Sequence, residues 1–503
     1  MAGDDLASPS AILRRPALSQ RLAEARESAL ALIVAPPGYG KSTLLAEWAE
    51  RDERPFAWLA LGQADRRTAS ATLRPAPPAA AERLPQLVRK LRARHSSFVA
   101  VLDDAHLASG ALRDIGQAAL EELPEGSTLA LASRTEPPLP VGRLRAHRLL
   151  TEIRMQQLAM SASEAAALLR QAGVELTSEE LHVLVSRAEG WPAALYLAAL
   201  AAREEPEALA GFGGDHHLLF EYLWDEVLAP LPAELISFSV RTSVLDELSG
   251  MSCDSVLDQQ GSAVLLERLS RLTPLLTPVD PAHHRYRWHR LMREALRARL
   301  ERIEPELELS LRLRASGWYS GRGDTRRATD QAAAARDAQL TGELLWPHIL
   351  DHLTQGRDGL VRGWLSNFGD GVIADHPPLT LSASLSALLA GVARHLQGDR
   401  AAAELLLDEG IRLAANRAPV LSALCLAQRA MIAIEREDWP LAADLTDRAA
   451  MVVDEWHLSS DPLLAVVFSV LAASRAHEGR IDESKRDLRS GIKLLEELGD
   501  FVT

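Results

Sequence analysis

The sequence predicts an α/β P-loop NTPase domain, then all-α helical and winged-helix subdomains, and finally an α-solenoid (TPR-like) C-terminal region. Two observations lead to this fold class. Near the N-terminus a glycine-rich loop joins an apolar strand pattern to an amphipathic helix pattern. From Ser161 onwards the hydrophobic periodicity is helical, apart from a short mixed segment before residue 300. A chain of 503 residues is too long for one core, and we expect five parts. They are a lead-in helix (1–29), a P-loop ATPase domain (30–155), a helical subdomain (156–212), a winged-helix subdomain (213–305) and a TPR-like repeat sensor region (306–503).

Composition narrows the class of protein. Leu and Ala dominate and only 5% of residues are aromatic, which favours a mostly helical chain. The two cysteines cannot form a disulfide framework, and no signal-peptide pattern or run of about 18 apolar residues occurs. We therefore expect a cytoplasmic protein with no membrane partner. A net charge of −14 argues against the chain as a whole binding nucleic acid.

The first elements follow from short apolar runs. We expect a lead-in helix at 16–27 and parallel strands at 30–34, 56–61, 98–102 and 128–132, separated by helices. Residues 66–85 are rich in Ala, Pro, Arg and Thr, and we expect a loop with one weak helix there.

The loop after the first strand, 35–42, has the sequence Ala-Pro-Pro-Gly-Tyr-Gly-Lys-Ser. Its backbone N–H groups and the positive end of the following helix would converge on a phosphate. Lys41 would then reach the β- and γ-phosphates, and Ser42 would ligate Mg²⁺. Ala35 replaces the first glycine of the usual pattern, so we expect a less permissive backbone there. The alternative is an ordinary βα turn. The residues predicted to bind nucleotide here are Pro37, Gly38, Tyr39, Gly40, Lys41, Ser42 and Thr43.

Two carboxylates end the third predicted strand. Asp103 would hold Mg²⁺ together with Ser42, and Asp104 would polarise or orient the attacking water. An acidic turn after a buried strand is the alternative. Arg134 follows the next strand and is placed to sense the γ-phosphate, although a surface arginine fits the pattern nearly as well.

The remaining chain is predicted to be helical with one exception. Ser161 and Glu164 form a capping box before a helix. A short strand at 285–288 precedes a helix at 291–300, an order that suits a winged helix. This stretch is the most basic of the chain, but glutamates interleave with its arginines, which favours a solvated or nucleotide-facing role over DNA binding.

An internal repeat marks the C-terminal region. Similar turn sequences begin at Gly398, Glu437 and Gly479, a period of about 40 residues, and an earlier copy begins at Gly323. Helical hairpins at that period stack into a solenoid. An irregular helical bundle is the alternative.

These motifs together show a family resemblance. The P-loop, the strand ending in Leu-Asp-Asp-Ala-His, the Ala-Ser-Arg-Thr segment and Glu-Gly-Trp-Pro-Ala-Ala-Leu at 189–195 resemble the STAND-class ATPases of the MalT type. These are large bacterial transcriptional activators, many of which end in a LuxR-type helix-turn-helix. The resemblance covers residues 12 to about 300 with specific motifs, and the rest only by solenoid style.

The resemblance implies further site residues. In this family ATP or ADP lies between the ATPase sheet, the helical subdomain and the winged helix. Arg15 matches the lead-in helix, Gly190 and Pro192 match the motif that packs near the base, and His289 matches a histidine that approaches the β-phosphate of ADP. A helix-capping or surface histidine is the alternative for His289.

The resemblance also implies a function. We expect a signal-transduction switch in which ATP or ADP, with Mg²⁺, and a small-molecule inducer on the solenoid control self-association and transcription. Turnover would be slow. The sequence ends at Thr503 within helical repeats, so we expect any DNA binding to come from a further C-terminal domain or from a partner. The alternatives are an ATPase acting on a solenoid-held substrate and a nucleotide-independent scaffold.

Overall fold

The computed structural model describes residues 13–61, 83–205 and 208–502. These divide into two compact units, Met1–Pro305 and Glu306–Thr503. Most of the segment predicted as a loop at 66–85 lies outside the described residues.

The first unit is built on a five-stranded parallel sheet with the strand order β2-β3-β4-β1-β5. The strands are β1 (Leu30–Val34), β2 (Phe56–Ala60), β3 (Val99–Asp103), β4 (Thr128–Ser133) and β5 (Leu150–Arg154). The sequence predicted four of them to within one residue. It missed β5, because this edge strand has three polar residues among its five and only Ile153 is fully buried.

Helices cover this sheet and its apolar core. They are α1 (Pro16–Glu24), α2 (Lys41–Arg51), α3 (Leu84–Arg92), α4 (Ser109–Glu121) and α5 (Val141–Ala146), with a 3-10 turn at Ala105–Ala108. The lead-in helix α1 packs on α2, the helix that follows the P-loop. Buried Glu47 on α2 accepts hydrogen bonds from the Arg15 amide and the Ser19 hydroxyl, and these bonds hold α1 in place.

A helical segment and a small antiparallel sheet complete the first unit. The helices are α6 (Met155–Leu158), α7 (Ala162–Gln171), α8 (Ser178–Ala188), α9 (Pro192–Glu204), α10 (Ala208–Gly211), α11 (His217–Leu223), α12 (Ala233–Thr242), α13 (Gly250–Leu257), α14 (Ser262–Leu272) and α15 (Arg290–Ile303), with a π-helical turn at Trp224–Leu228. The sheet has the order β6 (Leu248–Ser249), β8 (Arg285–Trp288), β7 (Leu276–Pro278).

Two local predictions are confirmed here. The Ser161–Glu164 capping box begins α7, and the strand predicted at 285–288 is β8, which leads into α15. The sequence missed the partner strands β6 and β7 because they are only two and three residues long.

The second unit is helical throughout its described residues. Its helices are α16 (Pro305–Ser320), α17 (Thr325–Ala334), α18 (Ala338–Leu345), α19 (Ile349–Thr354), α20 (Asp358–Leu365), α21 (Asp370–Asp375), α22 (Pro377–Leu396), α23 (Arg400–Ala414), α24 (Pro419–Glu435), α25 (Trp439–Glu455), α26 (Ala465–His477) and α27 (Ile481–Val502), with 3-10 turns at Trp346–His348 and Pro462–Leu464. From α22 to α27 each helix packs on the next, and α24 also contacts both α22 and α26.

The repeated turn sequences have a common structural role. Gly323, Gly398 and Glu437 each adopt a left-handed backbone conformation, and the aspartate that follows caps the next helix. Gly479 has the same conformation but is followed by Arg480. The predicted turns between helices are therefore confirmed, while their tetratricopeptide type stays a prediction.

One helix departs from the expectation of no membrane-spanning run. Helix α22 is long and apolar enough to cross a membrane by length and composition alone, and half of it is buried inside the structure. Its buried face includes Leu379, Ala383 and Ala387, and it packs against α23 and α24, as a core helix of the second unit does.

Candidate nucleotide-binding site

The P-loop has the geometry of an anion-binding turn. Gly38 and Gly40 have φ angles of 76° and 78°, a conformation that glycine adopts without steric cost. The backbone amides of residues 38–43 donate no hydrogen bond to any described residue, so they are free to receive a phosphate. A methyl group at Gly40 would meet nothing within 4 Å, which leaves open space over the loop.

Ala35 does not impair this loop. It is fully buried, its φ is not positive, and its amide donates to the Ser133 carbonyl at 3.2 Å. The expectation of a less permissive backbone is therefore correct for alanine in general but has no consequence here, since this position does not use the left-handed region.

Lys41 lies folded against the loop that precedes it. Its Nζ donates to the carbonyls of Ala35 and Pro36, both at 2.9 Å, and the side chain is buried. Burial, with the nearby positive charge of Arg134, lowers the pKa of Lys41 to about 8. A bound phosphate would supply the negative charge that the two carbonyls replace only in part.

The carboxylates lie beside this lysine, as the sequence predicted. Asp103 ends β3, and its Oδ1 accepts a hydrogen bond from the Asp104 amide at 2.9 Å. Burial raises the pKa of Asp103, while the nearby Ser42 hydroxyl favours the charged form. Asp104 has a left-handed backbone, with φ of 55°, and its Oδ1 lies 4.0 Å from Nδ1 of His106. Burial lowers the pKa of His106 to about 4, so this histidine is neutral at pH 7.

Trp191 joins the helical segment to the P-loop. Its Nε1 donates to the Pro37 carbonyl at 3.1 Å, and its ring stacks on Tyr39 at a centroid distance of 5.9 Å. The Ala193 amide also donates to the Gly38 carbonyl, at 3.1 Å. A Cβ at Gly38 would collide with Ala193 and would lie 2.6 Å from the Tyr222 hydroxyl. Gly38 is thus required by this packing as well as by its φ angle.

Trp191 was missed as a site residue by sequence reasoning. The sequence did offer one indication of its role: Trp191 lies between Gly190 and Pro192, in the motif at 189–195 that resembles the MalT-type proteins. A tryptophan beside glycine and proline is more often a core residue, and Trp191 is fully buried.

Gly190 and Pro192 lie on either side of this contact and position it. The φ of Gly190 is 70°, and a Cβ there would lie 2.6 Å from the Met160 carbonyl oxygen. The Met160 amide in turn donates to the Gly190 carbonyl at 2.8 Å. Pro192 occupies the first turn of α9, where its missing N–H costs nothing. Within the structure both residues orient Trp191, and their proximity to a base stays a prediction.

His289 is buried behind Trp191. It precedes α15, and its ring meets Trp191 edge-on at 5.4 Å. Neither ring nitrogen has a hydrogen-bond partner of good geometry among the described residues, although the Ala188 carbonyl lies close enough to favour the protonated form. Burial nevertheless lowers the pKa of His289. The structure therefore excludes the surface alternative, and approach to a phosphate stays a prediction.

Arg134 is paired with the segment before α12. Its Nη2 lies 2.8 Å from Oε2 of Glu226, and its Nη1 donates to the Glu226 carbonyl at 3.0 Å. Glu226 belongs to the π-helical turn, and both residues lie close enough to Lys41 to affect its pKa. The predicted sensor is therefore next to the P-loop lysine, and its partner Glu226 had no sequence signal.

Arg15 does not point towards the P-loop. Its guanidinium donates to the carbonyls of Leu158, at 2.8 Å, and Ala159, and it pairs with Glu164 at 2.7 Å. Arg15 therefore connects the start of the lead-in helix to the helical segment through these contacts. Any role in nucleotide binding would therefore come from its position rather than from a free charge.

The residues present fit a magnesium nucleotide. The free amides of 38–43 and Lys41 would hold the phosphates, while Ser42 and Asp103 would supply oxygen ligands to Mg²⁺. No group of three or more His, Cys, Asp or Glu side chains able to hold a metal occurs in the described part of the chain. The donor set is therefore one that a nucleotide completes with its own phosphate oxygens. The bound metal would neutralise phosphate charge.

The sheet, the P-loop and the small winged sheet define a P-loop ATPase core with a helical and a winged-helix segment. Comparisons with known proteins agree with this class. Residues 224–308 match the family described as MalT winged helix domain. The chain is 31% identical over 369 residues to the HTH-type transcriptional regulator MalT of Serratia proteamaculans, which covers 66% of this chain and 40% of that protein.

Two other curated relatives match at similar identity. One is the regulator MalT of Klebsiella pneumoniae, 30% identical over 73% of this chain and 44% of its own length. The other is the serine/threonine-protein kinase PknK of Mycobacterium tuberculosis, 30% identical over 66% of this chain and 33% of its own. The chain thus spans less than half the length of these relatives.

Among the solved structures that match the chain is a STAND protein with a tetratricopeptide repeat sensor from Pyrococcus horikoshii. It has a TM-score of 0.33 at 14% identity and covers 95% of this chain and 77% of its own. A Walker-type ATPase of Pyrococcus abyssi has a TM-score of 0.39 at 14% identity, over 57% and 96%. Through the winged-helix match and through about two thirds of its own sequence, the chain is related to the MalT-type regulators.

Proposed function

We propose that this chain is the nucleotide-controlled switch of a MalT-like transcriptional regulator. One observation carries the proposal: the segments that follow the ATPase sheet contact the phosphate-binding elements themselves. Trp191 bonds to the P-loop and Glu226 pairs with Arg134. A nucleotide at this site therefore changes the contacts between the parts of the first unit.

Nucleotide then acts as a conformational ligand. A ligand shifts a two-state equilibrium only by its differential affinity for the two states. We call the arrangement closed in which Trp191 bonds to the P-loop and Glu226 pairs with Arg134. ADP would favour this closed arrangement, with His289 on the side of the β-phosphate. ATP would favour an opened one, in which Arg134 meets the γ-phosphate and Asp104 orients water for slow hydrolysis.

The names of the relatives support a control role. A kinase and HTH-type transcriptional regulators are similar to the same chain, although their names describe different outputs. A region that a kinase and transcriptional regulators have in common is suited to controlling the activity of the domain attached to it. This argument favours a switch over an enzyme with its own substrate.

The helical unit would receive the signal. We assign to it a small-molecule inducer, whose binding together with ATP would promote self-association in the cytoplasm. The target genes would be reached through a further domain or a partner. An inducer of this kind would act by stabilising the open state.

The test is to purify the chain and identify its bound nucleotide after denaturation by chromatography. We expect ADP. Mass in solution, measured by light scattering with ADP, with ATP and with a non-hydrolysable ATP analogue, should rise only with the triphosphates and an inducer-containing extract. A mass that is the same in all of these conditions would contradict the switch. Turnover well above about one per second would instead indicate an enzyme.

A further inference from the structure

Two oxygens of Glu226 contact Arg134, and the backbone of the turn that contains Glu226 explains why both are available. The carboxylate and the carbonyl of Glu226 both bind the same guanidinium, at 2.8 and 3.0 Å. The carbonyl is available because the residue four positions later is Pro230, which has no N–H to donate. The Leu231 amide bonds to Leu228 instead, and the Ala229 amide reaches back five residues to Trp224. The π-helical turn and Pro230 therefore present Glu226 to Arg134.

The charges around this pair are those of a phosphate site. Lys41 and Arg134 provide two positive charges, and Asp103, Asp104 and Glu226 provide three negative ones that act on Lys41. Mg²⁺ would neutralise part of the charge of Asp103 and Asp104, whereas Glu226 lies on the winged-helix side. The Glu226 carboxylate oxygen and carbonyl oxygen accept from the two Nη atoms of Arg134, as two oxygens of a phosphate can, and the carboxylate brings a negative charge to the guanidinium as a phosphate would.

We propose that Glu226 is the residue that determines discrimination between ADP and ATP, because its carboxylate occupies on Arg134 the place of the γ-phosphate. This inference rests on the proposed function. ADP leaves the pair intact. ATP brings a second anion to Arg134, and the repulsion between that anion and Glu226 separates the winged-helix segment from the sheet. The Glu226 carboxylate and the γ-phosphate of ATP therefore compete for the guanidinium of Arg134.

The test compares Glu226→Gln with Asp225→Asn. Glutamine keeps the size and the acceptor oxygen but removes the charge. Asp225 is the adjacent, exposed carboxylate and serves as the matched control. Fluorescent ADP and a fluorescent non-hydrolysable ATP analogue are titrated with Mg²⁺ into each protein. The quantity measured is the ratio of the two Kd values.

We expect Glu226→Gln to shift the ratio about tenfold in favour of the triphosphate, within the usual range of coupling between sites, and Asp225→Asn to leave it unchanged. Equal ratios for the two variants would overturn the assignment. A second variant, Pro230→Ala, restores an N–H that competes for the Glu226 carbonyl, and it should shift the ratio the same way by about twofold to threefold. It decides the question if Glu226→Gln does not fold.

The same titrations distinguish a failure of the proposed function from a failure of the Glu226 assignment. If the unsubstituted chain bound neither nucleotide, the switch itself would be wrong, and Glu226 with it. If the chain bound both nucleotides with the same ratio in every variant, only the role of Glu226 would be wrong.

Discussion

Left-handed glycines serve different purposes in the two units. Gly38 and Gly190 of the first unit face other parts of the protein so closely that a Cβ would collide. Gly323, Gly398 and Gly479 of the second unit have equally positive φ angles, but a Cβ there would meet nothing within 4 Å. At such turns the chain also uses other residues, such as Glu437.

The difference separates two demands on glycine. In the helical unit glycine satisfies only the backbone angle of a turn, whose cost for another residue is modest. At Gly38 and Gly190 of the first unit it also permits contact between chain segments that are distant in sequence, whereas Gly40 of the same unit has open space around it. Substitutions that test this difference should therefore have graded effects.

The largest effect is expected at the P-loop lysine. Lys41→Ala should weaken binding of ADP and of ATP by about a hundredfold or more, since it removes the charged donor proposed to bind the phosphates. Calorimetric titration measures this loss. Lys90→Ala, an exposed lysine of α3, is the control. Unchanged affinity in Lys41→Ala would show that the nucleotide site is elsewhere.

Next in size is Gly190→Ala. The added methyl group would lie 2.6 Å from the Met160 carbonyl oxygen and 2.9 Å from its nitrogen, both backbone atoms that cannot move aside. With the positive φ, we expect a loss of about 3 kcal/mol or more in the free energy of unfolding of the first unit. Denaturant unfolding followed by tryptophan fluorescence measures it. A loss below about 1 kcal/mol would mean that this contact is looser than described.

A pH dependence of about tenfold should follow from Lys41. Its lowered pKa, about 8, means that the nucleotide-free protein loses this proton as pH rises from 7 to 9. Bound phosphate favours the protonated lysine, so affinity is nearly full at pH 7 and falls as pH rises through about 8. We expect Kd for ADP to be about tenfold weaker at pH 9 than at pH 7. In Lys41→Arg the profile should be flat over this range, and a steep profile in that variant would assign the titration to another group.

The lowered pKa of Lys41 also affects stability. Nucleotide affinity falls as pH rises, whereas the contribution of Lys41 to the free energy of unfolding increases. The unfolded chain holds the Lys41 proton up to its ordinary pKa of 10.5, whereas the folded protein releases it near 8. The unfolded state therefore binds more protons between these values, and the contribution of Lys41 to the free energy of unfolding rises with pH there.

The smallest effect is expected at a turn of the second unit. Gly398→Ala should cost about 1 kcal/mol, the strain of a left-handed alanine without any collision. Thermal unfolding of the second unit measures this loss. Gly398→Asn should recover part of it, because asparagine tolerates this region. A loss as large as that of Gly190→Ala would remove the distinction between the two units.

Much of this protein could be predicted from local pattern. Four of the five parallel strands are visible as short apolar runs, and the Ser161 capping box and the turns of the helical unit depend on contacts between residues close in sequence. The position of Asp103 beside Lys41 follows from the strand order of a parallel sheet, whose carboxyl ends meet at one edge. Arg134 was placed at the same edge for the same reason.

The rest was decided by tertiary structure. Trp191 reaches Pro37 across 154 positions, and Glu226 reaches Arg134 across 92. No periodicity encodes such contacts, because they depend on how helices and sheets pack rather than on the order of neighbouring residues. The sequence by itself determined a phosphate-binding loop with its acidic partner in a mostly helical chain. Only the packing of distant segments determined that Trp191 lies on that loop and that Glu226 pairs with Arg134, since burial of side chains is a property of the whole fold.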